Sequence, residues 1–238
     1  MYPMRVEYFG VRIEGDKLFI DGLPEGSIKI ISLDMLLPRQ SRELSSLAAH
    51  RLDLIFAKAC LDQINALEGK AREALWRTAV VYYCKCFSQP NGRVQSNRGQ
   101  ARAGGRKPLH PNKFLPAGLP REIHRYFMSL RNLHFVHDTN GWLQAFGGAV
   151  ISPPDRDYNI EKVTCTVIEG NSLVQDNFGN LSGLIDHALE WVEIEFKKLC
   201  DHITEELEKI PREKLLAQPD IKYRAPEAED IHLPRSPA

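Results

Sequence analysis

The feature that most constrains this chain is a thirty-residue stretch near its carboxyl end in which apolar side chains keep helical spacing almost without a break. Leu184, Ile185, Ala188, Val192, Phe196, Leu199, Ile203, Leu207 and Ile210 fall on one stripe, which predicts a helix over about Leu181 to Ile210. At about 1.5 Å per residue such a helix would be about 45 Å long. A rod of that length must be flanked by other helices over much of its course, and it is long enough to serve an interface between two chains as well as a core.

The partners are legible upstream. Leu44, Ala48, Leu52, Ile55, Phe56, Ala59 and Leu67 give a helix over about Ser41 to Leu67, ended by Gly69. Over about Ala71 to Phe87 there are two apolar stripes, Ala71, Leu75, Ala79, Tyr82 and Cys86, and Trp76, Val80, Tyr83 and Phe87. Apolar residues on two faces predict a central, buried helix. A fourth helix opens at Pro120, whose missing N–H is harmless in a first turn, with Glu122 adding negative charge there. Ile123, Phe127 and Leu130 mark its apolar stripe, which at helical spacing continues through His134 and His137 and turns both histidines towards the core. Asp138-Thr139-Asn140-Gly141 supplies its stop.

Strand signals are confined to two places. The runs Arg5 to Ile13, Lys17 to Ile20 and Ser27 to Ser32 alternate between Gly-rich turns and predict a small β appendage over residues 1–35. The runs Trp142 to Ile151 and Ile160 to Ile168, separated by Ser152-Pro153-Pro154-Asp155-Arg156-Asp157, predict an antiparallel hairpin inserted between helices, with Asn171 to Asn180 as a loop after it. The fold class is therefore mainly α, a helical domain over 36–210 with a hairpin insert at 142–168. A tail over 211–238, rich in Pro and Glu, lacks periodicity.

Composition bounds the partners. Of 238 residues 43% are hydrophobic and 26% charged, with a formal net charge of zero, so any affinity for nucleic acid must come from local charge. That local charge sits in a long irregular loop, residues 88–119. It carries Arg93, Arg98, Arg102, Arg106, Lys107 and Lys113, and no acidic residue occurs from Ala74 to Arg121. Such spacing suits a guide for an anionic polymer, because cations along an irregular segment neutralise phosphates without demanding a sequence. No apolar run reaches the roughly 18 residues of a membrane span, and the amino terminus lacks signal-peptide regions, so no membrane partner and a cytoplasmic location are expected. The five cysteines, Cys60, Cys84, Cys86, Cys165 and Cys200, are odd in number and scattered, as expected of reduced thiols.

The stretch Leu130-Arg131-Asn132-Leu133-His134-Phe135-Val136-His137-Asp138 concentrates an arginine, an amide and two histidines at the end of one apolar helix. Arginine donates a planar pair of hydrogen bonds to phosphate and keeps its charge, and histidine exchanges protons near neutral pH. On an ideal helix Arg131 and His137 point roughly 120° apart, a gap that arginine's length and a frayed last turn can narrow. The string Arg131-Asn132-x4-His137 resembles the motif of the HEPN superfamily, an Arg followed by a polar residue and then by a His four to six positions after the Arg. The basic loop before the helix and the β segment after it look like the abortive-infection branch, and the resemblance covers roughly residues 42 to 209.

The resemblance implies an antiparallel helical bundle that forms a homodimer, with paired motifs making one metal-independent endoribonuclease site of toxin or antiviral-defence type. Arg131, Asn132 and His137 would be its catalytic set, without cofactor or metal, and an antitoxin or sensor protein would be a possible further partner. Two other readings stay open. One is a metal hydrolase using His134, His137 and Asp138, with His124 as a fourth ligand, although no zinc signature is present. The other is a catalytically inert dimeric module that binds nucleic acid or a nucleotide.

Overall fold

The computed structural model describes residues 10–14, 17–21, 25, 29–88, 106–137 and 141–220. The chain is mainly α-helical, and no helix among the described residues is long and apolar enough to cross a membrane. Among the described residues there are five α-helices, α1 (Pro38–Ile64), α2 (Gly69–Lys85), α3 (Leu119–Leu130), α4 (Gln175–Glu208) and α5 (Arg212–Leu216), and two antiparallel hairpins. The hairpins are β1 (Gly10–Glu14) with β2 (Lys17–Asp21), and β3 (Leu143–Ile151) with β4 (Ile160–Glu169). Of the predicted strand over Ser27 to Ser32, residues 27 and 28 lie outside the described residues, and 29–32 form no strand. Within it only Ile31 makes an isolated antiparallel bridge, to Asp220.

The described residues fall into two compact units. One draws on Met1–Leu52, Ser88–Leu109 and Leu189–Ala238, the other on Asp53–Phe87 and His110–Ala188.

In the first unit, Arg51 of α1 pairs with Glu193 of α4 at 3.2 Å. His50, buried on α1, is 2.8 Å through Nε2 from the carbonyl of Lys107, and Arg106 reaches its Nδ1. Arg106 Nε also lies 3.2 Å from His50 Nε2, so both ring nitrogens of His50 face the 106–107 segment. The end of the basic loop is thus tied to α1. Near the carboxyl end, Lys29 Nζ donates to the carbonyls of Leu216 (3.1 Å) and Gln218 (2.7 Å) and pairs with Asp220 at 3.2 Å, while the Ser32 N–H donates to the Pro219 carbonyl at 3.1 Å. Of the predicted tail, residues 212–216 are helical and 219–220 meet the 31–32 segment; positions after 220 lie outside the described residues.

The second unit holds the larger core. Leu54, Ala57, Leu61 and Ile64 from α1, Trp76, Ala79, Val80, Tyr83 and Cys84 from α2, Phe127 and Leu130 from α3, and Leu181, Leu184, Ile185 and Ala188 from α4 are all buried. In α2 Trp76, Val80 and Tyr83 of one stripe and Ala79 and Cys86 of the other are buried, whereas Ala71 is exposed and Leu75 and Tyr82 are half-buried, so the helix is buried on one broad face rather than all round. Rings meet edge to face at Trp76 and Phe127 (6.0 Å) and at Phe87 and His124 (4.5 Å). Lys58 of α1 pairs with Asp186 of α4.

α3 starts where expected and for the expected reason. Gly118 precedes it at φ 88°, a backbone region closed to residues with a Cβ, and Pro120 occupies its first turn. α4 begins at Gln175, six residues ahead of the predicted start, and its 34 residues extend about 51 Å. The stretch Asn171 to Asn180 read as a loop is therefore mostly helix. Asn171 Oδ1 accepts from the Leu173 N–H and Asn177 Nδ2 donates to the Ser172 carbonyl, so side chains of turn-forming type serve here as the entry to a helix.

Candidate functional site

The residues singled out by the sequence lie on an irregular turn. At Arg131 the α-helical bonding of α3 gives way to a π-helical turn, Arg131–Val136, which ends at His137 (φ −118°, ψ −14°). A π turn accommodates an extra residue in each turn, is uncommon, and is found disproportionately at functional positions. It also changes which side chains face inwards. His134 stays on the buried side at 7% exposure, but His137 is carried out of the helical phase and is exposed. The expectation that both histidines face the core thus holds for His134 and is corrected for His137, because it assumed that one helical period ran through the motif.

Arg131 and Asn132 are half-buried, and Arg131 Nη1 donates to Asn132 Oδ1 at 2.6 Å. No carboxylate pairs with Arg131 among the described residues, and its buried Nε has no acceptor. The positive charge is felt by Cys84: burial pushes that thiol up to about 12, and Arg131 pulls in the opposite direction. The Cys84 thiol donates to the Phe127 carbonyl at 3.4 Å and that of Cys86 to the Tyr82 carbonyl at 3.6 Å, so the two sulfurs go to separate carbonyls. All five cysteines are free thiols.

His124 is placed differently from the ligand the metal reading would need. It is buried and takes a 2.8 Å hydrogen bond at Nδ1 from the Tyr83 hydroxyl. Burial lowers its pKa from 6.5 to about 4 and raises that of Tyr83, so the pair is neutral and the phenol is the donor. Asp138 lies outside the described residues, and among those described no cluster of His, Cys, Asp and Glu suits a metal ion.

A further group of side chains surrounds the π turn that the sequence reading did not connect with it. His134 Nε2 lies 3.3 Å from Glu169 Oε1 at the end of β4. The same oxygen accepts from Arg77 of α2, which also binds Glu73 and sets its guanidinium carbon 5.1 Å from the centre of the Phe135 ring. Burial opposes the charge of Arg77, but the two carboxylates more than compensate and raise its pKa. Trp142, just before β3, has its ring 6.1 Å from that of His134 and donates from Nε1 to the Gly170 carbonyl at 2.7 Å. Arg77 and Glu169 are 92 positions apart, and no pattern in a single sequence joins them.

Of the six basic-loop residues, Arg93, Arg98 and Arg102 lie outside the described residues. Arg106 is half-buried and turned to His50, so its guanidinium ties the loop end to α1, whereas Lys107 and Lys113 are exposed. No family model, curated protein or solved structure matches the chain.

Proposed function

We propose that the chain is a metal-independent endoribonuclease of the HEPN type, acting in a toxin or antiviral-defence role. The observation that carries the reading is Arg131. A half-buried guanidinium with no carboxylate partner among the described residues and a buried Nε lacking an acceptor is costly to maintain unless an anion completes it. A phosphodiester is a fitting anion because its two free oxygens match the guanidinium fork. Asn132, bonded to Arg131, orients it, and the exposure of His137 leaves its imidazole open to substrate.

In the proposed reaction the 2′-OH loses its proton to one histidine and its oxygen bonds to phosphorus. The P–O5′ bond breaks, and O5′ takes a proton from a second histidine. The products are a 2′,3′-cyclic phosphate and a 5′-OH. Arg131 stabilises the charge that grows on the phosphate oxygens. One chain supplies one His137, so the two proton transfers call for a homodimer with both motifs close to its two-fold axis. The cations that the sequence concentrates in the basic loop, Arg93, Arg98, Arg102, Lys107 and Lys113, would add to the affinity for the RNA backbone.

Purified protein is to be incubated with single-stranded and structured RNA in excess chelator, with DNA of the same sequence beside it. RNA should be cut to cyclic-phosphate ends while DNA, lacking the nucleophile, stays whole. Arg131→Lys and His137→Asn should stay folded and bind RNA yet cleave about a hundredfold more slowly. Cleavage that stops in chelator and returns with zinc would overturn the reading. So would a monomeric solution mass for the active species. An inert binding module is the second reading, favoured by the bond between Arg131 and its own neighbour Asn132. Binding of RNA without cleavage under every condition would select it.

A further inference from the structure

We propose that Glu169 is a positioning residue for the Arg131–His137 turn, acting through His134. A π turn needs a reason to exist, since the same residues could continue α3 with more regular bonding. The reason lies in the two rings at its centre. His134 is the buried residue of the turn, and its Nε2 meets Glu169. Phe135, next to it, lies against the Arg77 guanidinium, and Arg77 is itself bound by Glu169 and Glu73. One carboxylate oxygen at the end of a strand therefore fixes both rings, His134 directly and Phe135 through Arg77. The Glu169 backbone is in turn held at the hairpin root, where the Gly170 N–H donates to the Trp142 carbonyl at 2.9 Å and the Trp142 indole returns a bond to the Gly170 carbonyl.

The consequence reaches the two ends of the turn. Arg131 precedes His134 by three residues and His137 follows it by three, with Phe135 beside it, so anchoring the central rings sets the direction of both flanking side chains. Neither Glu169 nor Arg77 needs to touch the substrate. Loss of Glu169 removes the carboxylate at His134 Nε2 and one of the two carboxylates on Arg77, which lets 131–137 relax towards regular α-helix and turns His137 back towards the core phase.

The activity arm of the test rests on the ribonuclease reading, whereas the structural arm does not. Amide hydrogen exchange of the full chain is compared for wild type, Glu169→Ala and Glu169→Gln. In Glu169→Ala the amides of Leu133 to His137 should exchange at least about tenfold faster, with those of α2 unchanged. Glu169→Gln keeps the length and an acceptor oxygen and should restore most of the protection. With RNA in chelator, Glu169→Ala should lower kcat about ten- to a hundredfold at an unchanged KM, the scale of a reacting group misplaced by about an ångström. Glu169→Gln should recover most of that loss.

Unchanged exchange at 133–137 in Glu169→Ala overturns the proposal. So does a fall in kcat that only follows the folded fraction, or a rise in KM at constant kcat. If the wild type cuts no RNA, the ribonuclease reading fails and the exchange arm decides the positioning role by itself.

Discussion

The α2–α3 packing and the β3–β4 hairpin lie in the same unit and are held by opposite means. Where α2 meets α3, Trp76, Tyr83 and Phe127 are fully buried and their rings and hydroxyls find specific partners. The hairpin is as rich in apolar residues, yet Phe146 is 54% exposed, Ile151 70%, Val163 77% and Val167 60%. A lone two-stranded sheet is marginal in water, so burial along its length does not hold it in place. Its root does: Trp142 with Gly170, Glu169 with Arg77 and His134, and Trp76 Nε1 donating to the buried Ser172 hydroxyl at 2.9 Å. Stability in this unit thus depends on where a residue stands relative to α2, and hydrophobicity alone does not foretell it.

The hardest blow to that contrast comes from Phe127→Ala. Truncating a fully buried ring should cost about 3–5 kcal/mol, read as a lowered denaturant midpoint at constant m-value. A loss under about 1 kcal/mol would mean that the α2–α3 contact is not the core it is described as.

Next is pH, which addresses the buried side alone. His124 has its folded pKa lowered to about 4 from 6.5, so as pH falls below 6.5 the unfolded chain takes up the proton first. The stabilising contribution is complete above pH 6.5, diminishes between 6.5 and 4, and changes no further below 4 on account of this group. The amount is roughly 3 kcal/mol. Melting temperatures measured from pH 7 to pH 4 should fall less steeply for His124→Gln than for wild type. Parallel curves would remove His124 as the cause.

A smaller effect is expected at the hairpin root. A Cβ at Gly170 would stand 2.4 to 2.9 Å from atoms of the Trp142 indole, so Gly170→Ala must displace the ring. The cost should be about 1–3 kcal/mol, accompanied by faster amide exchange along β3 and β4 while α2 and α3 keep their protection. Equal loosening in all four elements would show that root and core are one cooperative body.

The weakest effect belongs to the hairpin blade. Val163→Thr should stay within about 0.5 kcal/mol of wild type, despite replacing a β-branched apolar residue in a strand. A larger cost would mean that this face is covered in solution.

The four long helices and the second hairpin were legible because each carries an uninterrupted period, 3.6 in α1, α2, α3 and α4 and the β-rich runs flanking Ser152-Pro153-Pro154. The motif helix was legible only up to Leu130. The π turn leaves no trace in the hydrophobic pattern, since it arises from Glu169 and Arg77, which are remote in sequence, and so the orientation of His137 came out opposite to expectation. The early start of α4 was hidden by Asn171, Asn177, Gly179 and Asn180, residue types that usually signal turns. Ser27 to Ser32 has the composition of a strand, but among the described residues it finds only the short segment around Asp220 to pair with. That Arg131 has no carboxylate partner among the described residues could not be read from the sequence, because it depends on where remote carboxylates lie.

The contacts of Lys29, Ile31 and Ser32 with residues 216 to 220 carry a consequence for how the protein is made. These partners are separated by 187 to 189 positions in the hydrogen bonds of Lys29. A ribosome adding roughly 5 to 20 residues per second needs about ten to forty seconds to bring the second partner after the first. Throughout that interval the mate of the amino-terminal segment is still unwritten, whereas everything that builds the Trp76–Phe127 core has been translated by residue 188. The seam between residues 29–32 and 216–220 therefore cannot close until the chain has been translated past residue 220, by which time every residue of the Trp76–Phe127 core has been made.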